Sequence, residues 1–275
     1  MDERELSAML ELDERHWWYR GRRWILLAEL ARLPLPPNPR ILDAGCGSGR
    51  TLVELRKLGQ ASGIELSPHA AEMARQRGGA EIQVGRLEEL PWEDATFDLI
   101  TCMDVIEHTP DDRRTLRELR RVCKPGGWLY VTVPAYQALW SPHDVVNHHY
   151  RRYVRRMLRA AAAEAGWQVQ RMSSFNSLLL APAAAVRLLA RLRNPTVDED
   201  YTPELRLGPP WLNSLLERPM RWEAAWLGQG RTLPAGLSLL GILRNGEAPK
   251  PAADARHHAT SSGQAPADTR AGSPR

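Results

Sequence analysis

Residues 40–50 read Arg-Ile-Leu-Asp-Ala-Gly-Cys-Gly-Ser-Gly-Arg, and this stretch constrains the fold more than any other. Arg40 to Leu42 read as the end of a buried strand that Asp43 closes. Gly45, Gly47 and Gly49 then make a turn free of side chains, and Thr51 to Leu58 read as the helix that follows. A turn of this kind lets a ligand touch backbone N–H groups at a helix N-terminus. Many nucleotide-binding folds use it, so the flanking sequence has to narrow the ligand.

Around the turn the chain alternates. Apolar strands at 40–43, 61–65, 82–84, 97–103 and 128–133 are separated by helical segments near 49–58, 68–77 and 110–122. Strands alternating with helices predict a parallel sheet covered on both faces. Ligands of such sheets bind at the carboxyl ends of the strands, where strand order reverses. Thr109 reads as the N-cap of the helix near 110–122, with Pro110 at its first position and Asp112 as reciprocal cap. A helix at 154–165 and a strand at Trp167–Ser173 follow. Leu178–Leu192 is an apolar helix, and a second apolar stripe runs from Trp211 to Leu227, kinked or split at Pro219. Ala235 to Leu243 reads as the last strand. Four prolines between Leu33 and Pro39 make a linker. The expected organisation is an N-terminal helical segment over 1–37, a main domain over 38–175 and 233–245, an apolar Trp-rich helical insertion over 176–232, and a disordered tail over 246–275. The segment His16-Trp17-Trp18-Tyr19 reads either as a packing edge or as a lid over the glycine turn. Arg22 and Arg23 fall on the polar face of that helix.

Composition excludes several classes. The 275 residues are 43% apolar and 25% charged, with a net charge of only +4, so no nucleic-acid partner is expected. Three cysteines (Cys46, Cys102, Cys123) without metal-ligand spacing argue against a disulfide framework or a structural zinc site. The acidic N-terminal stretch has no signal-peptide core. The longest apolar run, Leu178 to Val186, is too short to span a bilayer. A cytoplasmic protein is expected, with peripheral contact at the inner membrane face through 176–232 left open.

The pyrophosphate fingerprint is G-x-G-x-x-G. Here the spacing is Gly45-x-Gly47-x-Gly49, and Asp43 before it would repel a phosphate. Strand two ends Gly63-Ile64-Glu65, and a carboxylate there can accept from ribose hydroxyls. An acid before the turn and an acid after strand two favour a cationic, ribose-bearing ligand. They disfavour a nicotinamide oxidoreductase.

At this point the sequence resembles the class I S-adenosylmethionine-dependent methyltransferases, of the methyltransferase type 11 kind. The resemblance is carried by Ile41–Gly49, Gly63-Ile-Glu-Leu-Ser67, Leu90–Asp98, Asp104-Val-Ile-Glu-His108 and Lys124-Pro-Gly-Gly127, in the family's order and spacing. It implies a doubly wound, Rossmann-like α/β fold. The seven-stranded sheet would end in an antiparallel hairpin formed by Trp167–Ser173 and Ala235–Leu243. It also implies S-adenosyl-L-methionine as cofactor. Asp43, Gly45 and Gly47 would line its methionine portion, Glu65 would hold the ribose hydroxyls, Leu66 would flank the adenine, and Asp104 at the end of strand four would complete the pocket. The family's adenine-binding Asp is replaced by Arg86, which has no acceptor, so backbone at Leu87 or the Glu88 side chain is the substitute.

Candidate catalytic groups are Glu107, His108, His143 and His149. His108 reads as a general base or as a structural histidine. The run Asp104-x-x-Glu107-His108 is similar to a metal-dependent subgroup, the O-methyltransferases of quinone biosynthesis, where Glu, Glu and His hold a divalent ion. Here the first position is an Asp, and no metal is assigned. The loop Trp140–Tyr153, with His143, Asp144, His149 and Tyr153, resembles the acceptor loop of a bacterial methyltransferase subgroup that also carries the His-Trp-Trp-Tyr segment. Arg152, Arg155, Arg156 and Arg159 read as a solvated basic face or an anionic headgroup site. The insertion suits an interfacial helix pair, a dimer interface or a roof over the acceptor. The expected activity is methyl transfer to a small or lipid-linked acceptor, at oxygen. The alternative is a catalytically silent cofactor-binding scaffold that makes no transfer.

Overall fold

The computed structural model describes residues 12–78, 81–192 and 208–246, so the expected tail from 247 onward lies outside the described residues. The N-terminal helix is α1 (Trp17–Leu30). It is followed by β1 (Arg40–Ala44), α2 (Arg50–Leu55), β2 (Gln60–Glu65), α3 (Pro68–Gly78), β3 (Glu81–Val84) and β4 (Phe97–Met103). Next come α4 (Asp112–Val122), β5 (Cys123–Pro134), α5 (Pro142–Val146), α6 (Arg155–Glu164), β6 (Trp167–Phe175), α7 (Leu180–Leu192), α8 (Pro210–Gly228) and β7 (Ser238–Asn245).

The seven strands form one sheet in the order β3-β2-β1-β4-β5-β7-β6. All neighbours are parallel except β7, which runs antiparallel to both β5 and β6. This is the doubly wound sheet with an antiparallel end that the sequence predicts. Strand order reverses between β1 and β4, so the glycine turn after β1 opens at the switch point. Asp43 at that end lies between Gly63 and Thr101 of the flanking strands.

Side chains alternate across the sheet as the pleat requires. Leu42, Ile100, Leu129 and Val131 pack with α4 and α6 on one face. Ile41, Leu99, Tyr130, Leu240 and Ile242 pack on the other face, against α1, α2, α3 and α8. There α1 and α8 lie against each other so closely that a Cβ on Gly21 would sit 2.6 Å from Met220. Trp18 stacks on Phe175 at 5.8 Å, and Glu29 pairs with Arg171 of β6.

Two local expectations are corrected. Pro219 does not split its segment, since α8 runs unbroken over 19 residues. Glu217, Met220, Ala224 and Leu227 are buried on both sides of the proline, and this packing holds the helix together. The N-cap of α4 is Asp111, whose carboxylate accepts from Arg114 N at 3.0 Å. Thr109 is spent on the preceding 3-10 turn Ile106–His108, where its hydroxyl donates to the Ile106 carbonyl.

Candidate active site

The cofactor end is built at the carboxyl edge of β1 and β2. Asp43 is buried, and its Oδ1 accepts from the Thr101 hydroxyl at 2.7 Å. Burial pushes its carboxyl up to about 6 against the opposing Thr101 bond. Gly45 (φ +79) and Gly47 (φ +53) have left-handed backbones. A Cβ on Gly45 would lie 2.5 Å from Val105, so the turn is pressed against the loop after β4. Around Gly47 no atom lies within 4 Å of the missing Cβ, and a ligand can approach the backbone there. Glu65 Oε2 accepts from Gly47 N at 2.9 Å and Oε1 from Ser67 N at 3.0 Å. Leu66 is exposed and Leu87 buried, and neither lines the cavities described below. Arg86 is exposed and ion-paired to Glu88 at 3.5 Å.

A cavity of about 110 Å³ lies over the turn, bounded by Asp43, Gly45, Gly47, Ser48 and Met103 below and by Asp13, Tyr19, Arg22 and Arg23 above. Asp13 latches this upper segment down. It accepts from Ser48, from Arg23 at 3.0 Å and from Arg77 at 2.9 Å. Arg22 and Arg23 are therefore not a solvated polar face. Arg23 is buried on Asp13, and Arg22 pairs with Asp104 at 2.8 Å beneath the Trp18 and Tyr19 rings.

A second cavity of about 560 Å³ adjoins the first, and the two share Tyr19 and Arg22 as a common wall. One side is apolar, from Trp17, Trp18, Leu179, Pro182, Ala183 and Val186. The other carries Asp104, Glu107, His108, His149 and Arg152. Asp104 and Asn176 line it, and both hold left-handed backbones just past the strand ends, which for non-glycine residues is strain stored at the site.

Glu107 is fully buried, and neither carboxylate oxygen has a hydrogen-bond partner. Burial, reinforced by neighbouring Asp104, holds its carboxyl well above the usual range. The His108 ring meets the His149 ring edge-on at 4.5 Å. Burial, then the adjacent His149, lowers the His108 pKa. Asp144 Oδ1 bonds His149 Nδ1 at 2.8 Å and accepts from Arg152 Nε at 2.7 Å. Burial alone would raise the Asp144 carboxyl, but these bonds outweigh it and hold the group well below its ordinary range. Glu107, His108 and His149 bring atoms able to ligate a metal within 4.8 Å of one another.

Of the sequence candidates, Glu107, His108 and His149 meet at this cavity. His143 falls in α5, and its side chain is outside the described part. Asp144 acts from behind His149. Tyr153 is buried, and its hydroxyl donates to Asp112 at 2.8 Å, away from the cavity. The basic face holds only at Arg156 and Arg159, which are exposed. Arg152 is buried on Asp144 and the Ala135 carbonyl, and Arg155 donates to the Leu233 carbonyl. Tyr19 takes the lid position that was one reading of the run at 16–19, whereas Arg22 and Asp13 enter the site unforeseen.

The strand order, the turn and the two joined cavities define a class I S-adenosylmethionine-dependent methyltransferase fold. The chain belongs to that superfamily, and residues 42–131 match the model of its type 11 methyltransferase domain family. An uncharacterised 37.1 kDa protein of transposon TN4556 from Streptomyces fradiae is 31% identical over 212 residues, covering 69% of this chain and 61% of that protein. A ubiquinone biosynthesis O-methyltransferase of Xanthomonas oryzae is 33% identical over 146 residues, covering 46% of this chain and 60% of that enzyme. The chain thus spans about six tenths of the length of these curated relatives. Among solved structures, geranyl diphosphate C-methyltransferase from Streptomyces coelicolor shares the fold at a TM-score of 0.55 and 15% identity, over 82% of this chain and 79% of that one. The [4+2]-cyclase SpnF shares it at 0.55 and 20% identity, over 84% and 82%. The fold alone therefore does not specify methyl transfer.

Proposed function

We propose that the protein is an S-adenosylmethionine-dependent methyltransferase acting at a hydroxyl of an acceptor with an apolar body. The observation that carries this reading is the pair of cavities joined at Tyr19 and Arg22. In-line displacement needs donor and acceptor in adjoining, aligned compartments, and that alignment is the enzyme's main contribution. The residues present fit the cofactor. Open space over Gly47 admits backbone contact, Asp43 offers a carboxylate to a cation, and Glu65 stands at the ribose position. When bound, the cofactor supplies an electrophilic methyl on a sulfonium; the acceptor oxygen–carbon bond forms as the sulfur–carbon bond breaks, sulfur keeping the pair.

This chain's residues do the rest. Asp144 orients His149, which takes the hydroxyl proton on the cavity side. Trp17, Trp18 and Leu179 hold the apolar body and exclude water. The oxygen specificity is supported by this base and by likeness to an O-methyltransferase. Among the described residues no helix is long and apolar enough to cross a membrane. The exposed Leu178, Val186, Trp211, Leu215 and Trp222 favour peripheral contact with a surface that delivers an amphiphilic acceptor.

Calorimetry with S-adenosylhomocysteine, followed by incubation with methyl-labelled cofactor and a lipid extract, tests the proposal. Micromolar binding and label in an amphiphilic product are expected. Binding without any labelled product would favour the scaffold reading; absence of binding removes both.

A further inference from the structure

We propose that Glu107, His108 and His149 form a divalent transition-metal site of the two-histidine, one-carboxylate kind, open toward the larger cavity. Three observations carry it. First, their ligand atoms lie within 4.8 Å of one another. Metal–nitrogen and metal–oxygen bonds of about 2.0–2.2 Å bring such atoms to roughly 3–4 Å apart, so small side-chain rotations close the set. Second, Glu107 is fully buried and both of its oxygens lack a donor. A buried carboxylate in that state is costly, and a cation is the natural partner for it. Third, both imidazoles are held from behind, as metal-ligating histidines are. Asp144 fixes His149 Nδ1 at 2.8 Å, so a metal is taken through Nε2. Asp144 is itself fixed by Arg152 Nε at 2.7 Å and Ser141 N at 2.8 Å. The His108 ring is bonded to the Asn147 backbone.

The backbone keeps the ligands together. Glu107 and His108 leave β4 in a 3-10 turn, whereas His149 comes from the loop after α5. Tyr150 N donates to the Glu107 carbonyl at 2.8 Å and pins the second loop to the first. Asp104 is not part of the set. It falls outside the group whose ligand atoms lie within 4.8 Å of one another; its Oδ2 is ion-paired with Arg22 at 2.8 Å, and its own backbone is left-handed. The site therefore differs from the Asp104-Glu107-His108 run that the sequence alone suggests, because the third ligand is recruited from 41 residues downstream.

The donor set also selects the ion. Two imidazoles and one carboxylate suit zinc, iron(II), cobalt(II) or manganese(II), and suit magnesium poorly, since magnesium prefers an all-oxygen shell. Three protein ligands leave coordination positions free, and these face the cavity lined by the same residues. With the ion bound, His149 Nε2 is a ligand and no longer the base, and an acceptor hydroxyl placed on the ion would lose its proton more readily, to solvent. That last role rests on the methyl-transfer reading; the site itself does not.

The test uses the full-length chain after chelator treatment, titrated with cobalt(II) by visible absorption and with zinc by calorimetry. One equivalent is expected to bind, with magnesium at least about 100-fold weaker. Glu107→Gln and His149→Ala are each expected to weaken binding by roughly 100-fold, and Asp144→Asn by about 10–100-fold. Asp104→Asn is expected to stay within about threefold of the parent, because its carboxylate lies outside the ligand set. Absence of a cobalt band in the parent chain, or binding that follows Asp104 and ignores His149, overturns the site. S-adenosylhomocysteine calorimetry on the same proteins shows that each variant is folded. It also keeps the two readings separate: lost cofactor binding in the parent chain breaks the methyltransferase assignment and leaves the metal result standing.

Discussion

The two halves of the site are assembled in opposite ways. The cofactor half is local: Asp43, Gly45 and Gly47 lie within five residues, and Glu65 follows one helix and one strand later. The acceptor half is gathered from six distant places: α1, the loop after β4, the end of β5, the loop after α5, the segment from Asn176 to Val186, and the start of β7. A strand-turn-helix places its side chains by backbone geometry alone. A cavity collected from remote segments depends on packing that brings them together, and the α1–α8 contact is that packing. The halves should accordingly fail separately, with Tyr19 and Arg22, which line both cavities, as the exceptions.

The sharpest break comes from His149→Ala. Loss of a general base, or of a metal ligand, is expected to cut turnover by about 10²–10⁴-fold. S-adenosylhomocysteine affinity should stay unchanged, because His149 lines only the larger cavity. Equal loss of cofactor affinity would show that the halves are not independent.

Next in size are Asp43→Ala and Glu65→Ala, each expected to weaken S-adenosylhomocysteine binding by roughly 10–100-fold, the scale of a hydrogen bond to a charged group. Asp43 adds a pH dependence. Its carboxyl rises from 3.8 to about 6 on folding. A raised carboxyl binds protons more tightly in the folded chain, so its ionisation costs stability above pH 6, and the cost fades as pH falls toward 4. Asp43→Asn is expected to stabilise the chain at neutral pH by up to about 3 kcal/mol while binding the cofactor poorly. Thermal melts at pH 5 and pH 7.5 check this. The gain should shrink at pH 5, and an equal gain at both would refute the assigned cause.

The same contrast explains what could be read from sequence. Asp43, the glycine turn, Glu65 and the whole strand order were legible, since each depends on neighbours within one strand-turn-helix unit or on the alternating pattern. The meeting of His108 with His149 was not, because the two lie 41 positions apart on separate loops. Arg152 and Arg155 read as a solvated basic face because helical spacing says nothing of Asp144 or the Leu233 carbonyl waiting opposite. Arg22 was misread for the same reason, its partner Asp104 lying on another element. Pro219 misled in the other direction, as a local helix breaker overridden by burial against α1. Gly21→Ala probes that contact. With Met220 at 2.6 Å from the added Cβ, overpacking is expected to cost about 1–3 kcal/mol and to loosen the acceptor cavity. Denaturant unfolding measures the first, and KM for acceptor against Kd for S-adenosylhomocysteine the second. A larger change in the Kd would place the damage in the wrong half.

The smallest effect on stability is expected on the exposed face of α8. Trp211, Leu215 and Trp222 lie along one face of α8, with one turn between the first two and two turns between the last two, and remain exposed, with Arg218 and Arg221 beside them. Trp211 buries little, and Trp222 is half exposed and stacks on Trp226 at 5.4 Å, so replacing both together by Ser should cost only about 1 kcal/mol of folding stability. Burying those rings in a lipid surface is another matter, since each indole carries a large apolar area and a polar edge suited to the headgroup boundary. The parent chain should float with vesicles containing phosphatidylglycerol and the double variant should not, while both bind S-adenosylhomocysteine alike. If the parent chain stays at the bottom of the gradient, the apolar stripe has no lipid role. The acceptor must then reach the cavity from solution, and its apolar body must be small enough to be soluble.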